Sequence, residues 1–307
     1  MLWEQWRHEG LTSSDAAAAA GQSLRRSPLK VARAKRAPLV MEQRKPTEPM
    51  FWGDQMEPGV AAEAARRMGL TLDRRWGHLV GPRSHTRAYP DQNHRFRETA
   101  ESTLAPLVRS TPDYIALDRA QRPVIVECKT TGKWKAWERG IPLNIQWQVQ
   151  WHMLAADVPR AIVPVLFFQP VLTLRCWNVD RLPDFEPGGR MSQWARAWWQ
   201  AHVVEGRIPP AQAVDISDLT RENPTGNGIT VELPSSAARL DTLFVEAFRE
   251  RAEATARAKI CTAKLKDIEA QLRQIIGPAS YGTLGGVTYS LLSTRRGGRN
   301  LRRKPKP

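Results

Sequence analysis

The chain has 307 residues, enough for one large domain with additions or for two domains, and 41% of them are hydrophobic, as in an ordinary globular protein. A formal net charge of +15 and a sequence pI near 10.3 favour a polyanion as partner, most simply nucleic acid. No apolar run has the length of a membrane span and the N-terminus does not resemble a signal peptide, so we expect a cytoplasmic protein without a membrane partner.

The cysteines and histidines indicate no soft-metal site. Cys128, Cys176 and Cys261 lie far apart, and the six histidines show no metal-ligating spacing. The pattern therefore argues against a disulfide framework and against a zinc or iron–sulfur site. A bound metal ion would be held by oxygen atoms.

Two short helices are predicted near the N-terminus. Ser13 and Ser14 precede a run of alanines that ends at Gly21, the pattern of a capping residue followed by strong helix formers. A second helix is expected to begin at Pro28. Capping alone would explain Ser14, but a helix N-terminus also favours anions, and Arg7 lies just upstream.

A third helix is predicted from apolar residues that recur at helical spacing: Met56, Val60, Ala64 and Met68. Gly69 would end it. Glu57 lies on this apolar stripe, where a carboxylate needs a partner. Two interpretations are open for Glu57: a first-turn residue favoured by the helix dipole, or a third acid in a metal site.

The next segment has little periodicity. A strand is predicted at 78–80, and residues 84–104 are polar and charged. We therefore interpret 84–104 as a long surface insertion.

A β-hairpin is predicted in the stretch from Ser110 to Lys129. Two short apolar runs, Tyr114–Leu117 and Val124–Val126, flank a segment of turn-forming and charged residues. The two runs have the length of paired strands.

The same hairpin carries three ionisable residues: Asp113, Glu127 and Lys129. Side chains alternate along a strand, so Glu127 and Lys129 should point to the same face. An Asp and a Glu brought together beside a Lys make a site for a hard divalent cation and an amine that handles protons. The order P-D followed by E-x-K resembles the signature of the PD-(D/E)xK nuclease superfamily.

The loop after Lys129 interleaves aromatic and basic side chains: Lys133, Trp134, Lys135 and Trp137. This composition suits stacking on bases and pairing with phosphates, and it equally suits tryptophans that cover the edge of the core. A helix is predicted from Asn144 and would contain Gln148 and Gln150. Strands are predicted at 161–168 and 172–179, followed by a tryptophan-rich helix at 191–204 that packs in the core.

The C-terminal third begins with a loop-like linker at 206–234 and continues with a helix from about 235 to 276. One stripe of this helix steps by four and three residues and is apolar or small except at Arg251: Leu240, Phe244, Ala247, Arg251, Ala254, Ala258, Cys261, Leu265, Ile268, Leu272 and Ile275. This heptad seam should pack on a partner helix, on the core or on another copy. A strand is predicted at 286–292. The basic tail, 293–307, is expected to be disordered and either to bind phosphates or to be inert.

Several short motifs in order resemble the YqaJ family of viral recombinases, relatives of the lambda-type exonucleases. The motifs are Arg7, Ser14 and Asp15 (R-x6-S-D); Trp52, Gly53 and Glu57 (W-G-x3-E); Thr111–Asp113 (T-P-D); Glu127–Lys129 (E-C-K); Trp137, Ile141 and Pro142 (W-x4-I-P); and Gln148–Gln150 (Q-V-Q). They span roughly the first two-thirds of the chain.

The resemblance implies an α/β fold with a restriction-endonuclease-like core, in which helices flank a mixed central β-sheet and a long helix follows. It places the nuclease domain at 1–205 and a helix–strand region at 235–292. It also implies an alkaline exonuclease of a phage or prophage that degrades one strand of double-stranded DNA from 5′-phosphorylated ends and leaves a 3′ single strand. Its partners would be DNA ends, a single-strand annealing protein and further copies in a ring.

The resemblance also implies roles for individual residues. Asp113 and Glu127 would ligate Mg²⁺, or Mn²⁺ in its place, with the carbonyl oxygen of Cys128, and Glu57 would reach the metal directly or through water. Lys129 would orient the attacking water and help to deprotonate it, and Gln148 would position substrate or nucleophile. Two further residues would bind the 5′-phosphate: Arg7 and Ser14.

Two other functions fit part of the sequence. Another PD-(D/E)xK DNA nuclease, an endonuclease or a single-strand repair nuclease, would use the same acids, although the lack of a cysteine cluster argues against the cysteine-rich branch associated with CRISPR. A non-catalytic DNA-binding protein would explain the positive charge but would leave the Asp113, Glu127 and Lys129 pattern as coincidence.

Overall fold

The structure is a computed structural model that describes residues 1–39, 47–73, 82–90, 96–169, 171–225, 229–293 and 299–304. The chain divides into two units, Met1–Thr225 and Gly226–Pro307. The strand predicted at 78–80 lies outside the described residues.

The α-helices of the described residues are α1 (Trp3–His8), α2 (Ser13–Ala19), α3 (Pro28–Arg36), α4 (Glu48–Met68), α5 (Leu143–Ala156), α6 (Arg190–Trp199), α7 (Ile216–Glu222) and α8 (Ala238–Ile276). A π-helical turn, Gln200–Val204, extends α6. The strands are β1 (Leu11–Thr12), β2 (Thr71–Asp73), β3 (Ser84–Pro90), β4 (Phe96–Ser102), β5 (Ala105–Ser110), β6 (Tyr114–Leu117), β7 (Pro123–Val126), β8 (Lys129–Thr131), β9 (Arg160–Phe167), β10 (Thr173–Asp180), β11 (Tyr281–Leu284), β12 (Val287–Ser293) and β13 (Arg299–Lys304).

The central sheet of the first unit has the strand order β10-β9-β7-β6-β2, and β8 also pairs with β9. The predicted hairpin forms as the antiparallel pair β6–β7, with Tyr114 opposite Val126. Strands β7 and β8 run parallel to β9, whereas the other pairs of this sheet are antiparallel. The prediction of a mixed α/β fold with a long C-terminal helix is confirmed.

The strand that carries the site is interrupted between β7 and β8. Val126 pairs with Ile162 and Lys129 pairs with Val165, so the interruption lies beside Pro164. Proline has no N–H to donate to a neighbouring strand, which makes this a suitable place for the ladder to break. The backbone at residues 127–128 therefore leaves the regular ladder next to the candidate acids.

Helix α5 connects β8 to β9 and packs on the sheet. Val149 and Met153 lie in one buried cluster with the strand residues Ile125 and Val163. On another side of α5, Trp151 is buried against the N-terminal helices and α6. Because α5 is clamped between two clusters, its polar side chains at positions 148 and 152 have a defined direction.

A second sheet has the order β1-β5-β4-β3. The surface insertion predicted at 84–104 was wrong, because Ser84–Pro90 and Phe96–Ser102 form the paired strands β3 and β4, and Thr99, Ala100 and Ser102 are buried. The charged residues of this segment hid its strand pattern.

The first unit extends beyond the boundary expected at residue 205. Asp215 is buried and accepts a hydrogen bond of 2.6 Å from the hydroxyl of Ser27, at the start of α3. Lys30 pairs with Asp218 at 2.7 Å. Part of the segment predicted as a linker is therefore docked on the N-terminal helices.

The second unit consists of α8 and a sheet of order β11-β12-β13. The expectation of a disordered tail was wrong for Arg299–Lys304, because this segment pairs along β12 as β13. Within the described residues, none of the helices combines the length and apolar character needed to cross a bilayer.

Candidate active site

Asp113 lies directly before β6 and faces the interruption in the neighbouring strand. Its Oδ2 accepts a hydrogen bond of 2.7 Å from the backbone N–H of Cys128. Because the N–H of Glu127 donates to the carbonyl of Ile162 in β9, the N–H of Cys128 points to the other side of the strand, where the Asp113 side chain lies just before β6. The hairpin register and this bond together hold the Asp113 carboxylate beside Glu127.

Glu127 is the buried centre of the site, with 2% of its surface exposed. Its Oε1 accepts a contact of 2.5 Å from Nζ of Lys129 and one of 2.6 Å from Nε2 of Gln148. The side chains of Glu127 and Lys129 meet on one side, as strand alternation predicts. Gln148 reaches the same oxygen from α5.

Two further residues at the site were not found from the sequence. His152 places Nε2 at 3.1 Å from Oε2 of Glu127, an ion-pair distance at which the angles are not those of a hydrogen bond. Its Nδ1 lies 2.5 Å from the hydroxyl of Ser110, and both residues are fully buried. The available signal was the spacing of His152, which lies one helical turn after Gln148 on the same face.

The two acids are electrostatically different. Burial alone would raise the pKa of Glu127, but Lys129 and His152 more than offset it and hold that pKa at about 2. Burial, together with the charges of Glu127 and Glu57, holds the pKa of Asp113 well above its usual value. Of the two carboxylates, Asp113 is therefore the one whose negative charge is unfavourable at this site.

Lys129 carries its proton in this arrangement. Burial would lower the pKa of its ammonium group, but the charges of Glu127 and Asp113 outweigh burial and raise it. Burial, followed by the charges of Asp113 and Glu127, raises the pKa of the Cys128 thiol. The thiol of Cys128 therefore stays neutral, and its carbonyl is the atom left to act as a hard ligand.

Helix α4 brings the third acid to the same pocket. A Cβ on Gly53 would lie 3.8 Å from the hydroxyl of Thr130, so the first half of α4 passes close to β8. Glu57 follows one turn later, is half-buried, and contributes to the raised pKa of Asp113. Of the two interpretations of Glu57, this electrostatic link favours an acid at the site.

The side chains at the candidate site supply only part of the oxygen ligands that a hard cation needs. Among the described residues, no group of three or more His, Cys, Asp and Glu side chains is arranged to ligate a metal ion together. Mg²⁺ in proteins is often held by one or two carboxylates, with water and substrate phosphate completing its shell. The Asp113–Glu127 pair fits that requirement, and the raised pKa of Asp113 marks an excess of negative charge that a cation would offset.

The predicted phosphate-binding residues lie in a second cluster at the N-terminus. Nη2 of Arg7 donates to the hydroxyl of Ser14 at 2.9 Å. Behind them, buried Asp15 pairs with Arg26 and, at 2.8 Å, with Lys35. Burial and the charges of Arg7 and Arg26 lower the pKa of Lys35 despite its partner Asp15. Two cations thus pair with the Asp15 carboxylate, and the positive charge of Arg7 lies near enough to lower the pKa of Lys35.

Direct contacts join this cluster to the segment before Asp113. The guanidinium of Arg7 lies 4.5 Å from the ring centre of Trp3, whose indole N–H donates to the hydroxyl of Thr111 at 3.2 Å. Thr111 is two residues before Asp113. The candidate anion site and the candidate metal site are therefore attached to one another through α1.

The chain was compared with known proteins. The sequence pattern of the YqaJ-like viral recombinase domain matches residues 2–159, just over half of the chain. The chain belongs to the YqaJ-like viral recombinase domain family. All the site residues predicted above lie inside the matched segment, whereas α6, α7 and the second unit lie outside it.

Two solved structures are similar in part. The alkaline exonuclease LHK-Exo in complex with dAMP is 14% identical, with a TM-score of 0.44, and the match covers 72% of this chain and 97% of that one. A second structure of the alkaline exonuclease LHK-Exo, from Laribacter hongkongensis, is also 14% identical, with a TM-score of 0.42, and the match covers 72% of this chain and 98% of that one. No curated protein matches this chain.

Within the family's segment, the motifs separate into contacting and supporting residues. Gln150, the second glutamine of the Q-V-Q motif, is buried and bonds the backbone at Asp180 and Leu182, so it anchors α5. Trp137 lies in the sheet's core cluster and Trp134 packs against it. These tryptophans therefore cover the core edge, which is the simpler of their two interpretations.

Proposed function

We propose that the protein is a Mg²⁺-dependent exonuclease that degrades double-stranded DNA from 5′-phosphorylated ends. The observation that carries the proposal is the buried pair Asp113–Glu127, held beside Lys129 and Gln148 in a chain of the YqaJ-like viral recombinase domain family. A structural salt bridge would not need a second acid with a raised pKa next to the first.

Asp113 and Glu127 would hold the cation, with the carbonyl oxygen of Cys128 and, directly or through water, Glu57. Bound Mg²⁺, or Mn²⁺ in its place, would supply an activated water and offset the negative charge that develops on the phosphate. Gln148 and His152 hold Glu127 from the two sides of its carboxylate, so its oxygens are positioned before substrate arrives.

Lys129 would orient the attacking water by donating a hydrogen bond. Because the neighbouring carboxylates raise the pKa of its ammonium, Lys129 carries its proton in the metal-free site and can donate a hydrogen bond to that water. The part of the sequence-based hypothesis in which Lys129 orients water is therefore the one that the charge distribution supports.

Arg7 and Ser14 would bind the 5′-terminal phosphate. Ser14 is exposed and Arg7 is only half-buried, so both can reach a ligand. The lowered pKa of Lys35 beside Arg7 and Arg26 supports an anion site there, and the contact from Trp3 to Thr111 connects this cluster to the segment before Asp113. A 5′-phosphate bound by Arg7 and Ser14 would hold the 5′ end of the strand at a fixed position relative to Asp113, so cleavage would start at that end.

The test uses the full chain with a linear duplex labelled at the 5′ or the 3′ end, a closed circular duplex and a single strand. Each is incubated with Mg²⁺ or with EDTA. We expect Mg²⁺-dependent degradation of the linear duplex only, with release of the 5′ label first. Asp113→Asn should abolish it. Asp118→Asn is the matched control, because Asp118 lies at the far end of the same hairpin and pairs with Arg122 and Arg160.

The other outcomes have definite meanings. Cleavage of the closed circle would show an endonuclease, and preference for the single strand would show a repair-type nuclease. Binding of duplex without cleavage would show a non-catalytic DNA-binding protein. Release of the 3′ label first would contradict the proposed polarity. A single-strand annealing protein as partner stays a prediction.

A further inference from the structure

Helix α8 exposes the heptad seam that its sequence predicts, except at Leu272, which is half-buried. No residue of the helix is buried, and residues 238–276 are all described. Its large seam side chains are far more exposed than core residues: Leu240 68%, Phe244 70%, Leu265 67%, Ile268 53% and Ile275 81%. A helix of 39 residues is roughly 60 Å long, so the seam is a continuous apolar stripe rather than scattered residues.

We propose that α8 pairs with α8 of a second copy of this chain, in parallel and in register, as a two-stranded coiled coil. The seam has the period of such a coil: Phe244, Arg251, Ala258, Leu265 and Leu272 occupy a positions, and Leu240, Ala247, Ala254, Cys261, Ile268 and Ile275 occupy d positions. The helix lies outside the segment that matches the recombinase family, so the inference rests on residues other than those of the proposed nuclease site.

Charges beside the seam select the second copy and its direction. In a parallel pair, each g residue faces the e residue five positions later on the other helix. Lys264 of one copy then faces Glu269 of the other, an attractive pair that occurs twice. Leu243 faces Phe248 in the same way, which extends the apolar surface. No pair of like charges is formed at these flanking positions along 238–276.

The antiparallel arrangement is disfavoured by the same positions. With the helices overlapping almost fully, g faces g and e faces e. Arg257 would then face Arg257 of the other copy, and Asp241 would face Glu269. Glu250 faces Lys264 in that arrangement, but the like-charge pairs outnumber this attractive one. A shift by one heptad in one direction places Arg257 against Lys264. A shift in the other direction places Arg257 against Glu250, but it leaves the apolar residues Ile268, Leu272 and Ile275 without partners on the other helix, whereas the parallel pair in register covers the whole seam.

Arg251 is the one charged residue on the seam, at an a position in the middle of the helix. Paired with itself, it weakens the coil but specifies a register, as single polar a residues do. In the parallel arrangement, Glu250 of the opposite helix lies next to it at a g position, so the guanidinium can reach a carboxylate across the interface. Arg251→Leu should therefore tighten the pairing.

Disulfide formation at Cys261 tests whether the two helices pair in parallel and in register. At a d position of a parallel pair in register, the two Cys261 residues face each other, and a disulfide requires Cα atoms roughly 4.4–6.8 Å apart. Diamide would oxidise the two thiols, taking two protons and two electrons and being reduced itself to the hydrazine. We expect a dimer on a non-reducing gel, a Cys261–Cys261 peptide by mass spectrometry, and neither in the full chain with Cys261→Ser.

A second measurement separates pairing from chance collision. The variant Leu265→Asp with Ile268→Asp keeps Cys261 but should weaken self-association by about a hundredfold or more in sedimentation equilibrium, and should lose the cross-link. The matched control, Ala256→Asp with Ala263→Asp, adds the same charge on the opposite face and should change neither. Arg251→Leu should tighten association by about tenfold.

A monomeric full chain, a cross-link that survives in the seam variant, or an association that the seam variant leaves unchanged would each overturn the proposal. Binding of the seam to a different protein while the chain itself stays monomeric would overturn it as well. None of these outcomes would contradict the proposed nuclease activity, because the candidate acids belong to the first unit.

Discussion

Replacing Asp113 by Asn should remove activity and stabilise the metal-free protein at the same time. An Asn side chain keeps an oxygen that can accept the N–H of Cys128, so the local hydrogen bond is preserved. What disappears is the negative charge, which burial, Glu127 and Glu57 make unfavourable. Loss of a metal-ligating carboxylate should lower kcat roughly a thousandfold, if it removes several kcal/mol of transition-state stabilisation.

The gain in stability follows from the raised pKa of Asp113. Because this pKa is higher in the folded state than in the unfolded state, ionising Asp113 at neutral pH costs folding free energy, about 1.4 kcal/mol for each tenfold weakening of the acid. Part of the side chain remains exposed, and solvent reduces this cost. We therefore expect Asp113→Asn to raise the free energy of unfolding by about 1–2 kcal/mol, or the Tm by roughly 2–8 °C.

Asp15→Asn is the comparison variant, because this carboxylate is also internal but is paired with cations. Burial would raise the pKa of Asp15, yet Lys35 and Arg26 lower it, so its charge stabilises the fold. The variant leaves Lys35, whose side chain is 7% exposed, without its carboxylate. Breaking a buried pair in this way costs about 3–5 kcal/mol.

Thermal unfolding in EDTA and in Mg²⁺, together with duplex degradation, measures both effects. Wild type should gain stability from Mg²⁺, whereas Asp113→Asn should start higher in EDTA and gain little. If Asp113→Asn were destabilised in EDTA as Asp15→Asn is, the carboxylate would be a structural ion-pair member and the reasoning about the site would be wrong.

Three more predictions follow from other contacts. His152→Phe keeps an aromatic ring at this buried position but removes the contact to Glu127, so the affinity for Mg²⁺ should fall roughly 10–100-fold in calorimetry; an unchanged affinity would show that the contact does not position Glu127. Arg7→Ala should raise KM about tenfold for a 5′-phosphorylated duplex and less for a 5′-hydroxyl duplex, and equal changes would count against a phosphate contact. The stability that Asp15 contributes should be complete from neutral pH down to its unfolded pKa near 3.8 and should be lost below it, because the folded-state pKa is lower. Urea unfolding across the acid range checks this, since Asp15→Asn should remove that part of the pH dependence.

Local sequence patterns were sufficient to predict a strand or helix where the element's own residues specify it. The β6–β7 hairpin was predicted from its two apolar runs and turn, and α8 from its heptad spacing. Patterns were insufficient at 84–104, where strands carry charged residues and are defined by pairing with β5 and by buried Thr99 and Ser102. The tail strand β13 likewise exists through its partner β12.

The sequence by itself determined which ionisable side chains lie together at the candidate site. Asp113, Glu127 and Lys129 lie within one hairpin, and strand alternation and a tight turn act over such short distances. Only the tertiary structure decided what surrounds them. Ser110 and His152 meet across two elements, and the hairpin pairing places the Asp113 carboxylate where the N–H of Cys128 can donate to it. Burial and charge at a residue depend on every element packed around it, so the raised pKa of Asp113 and the lowered pKa of Glu127 follow from the assembled fold.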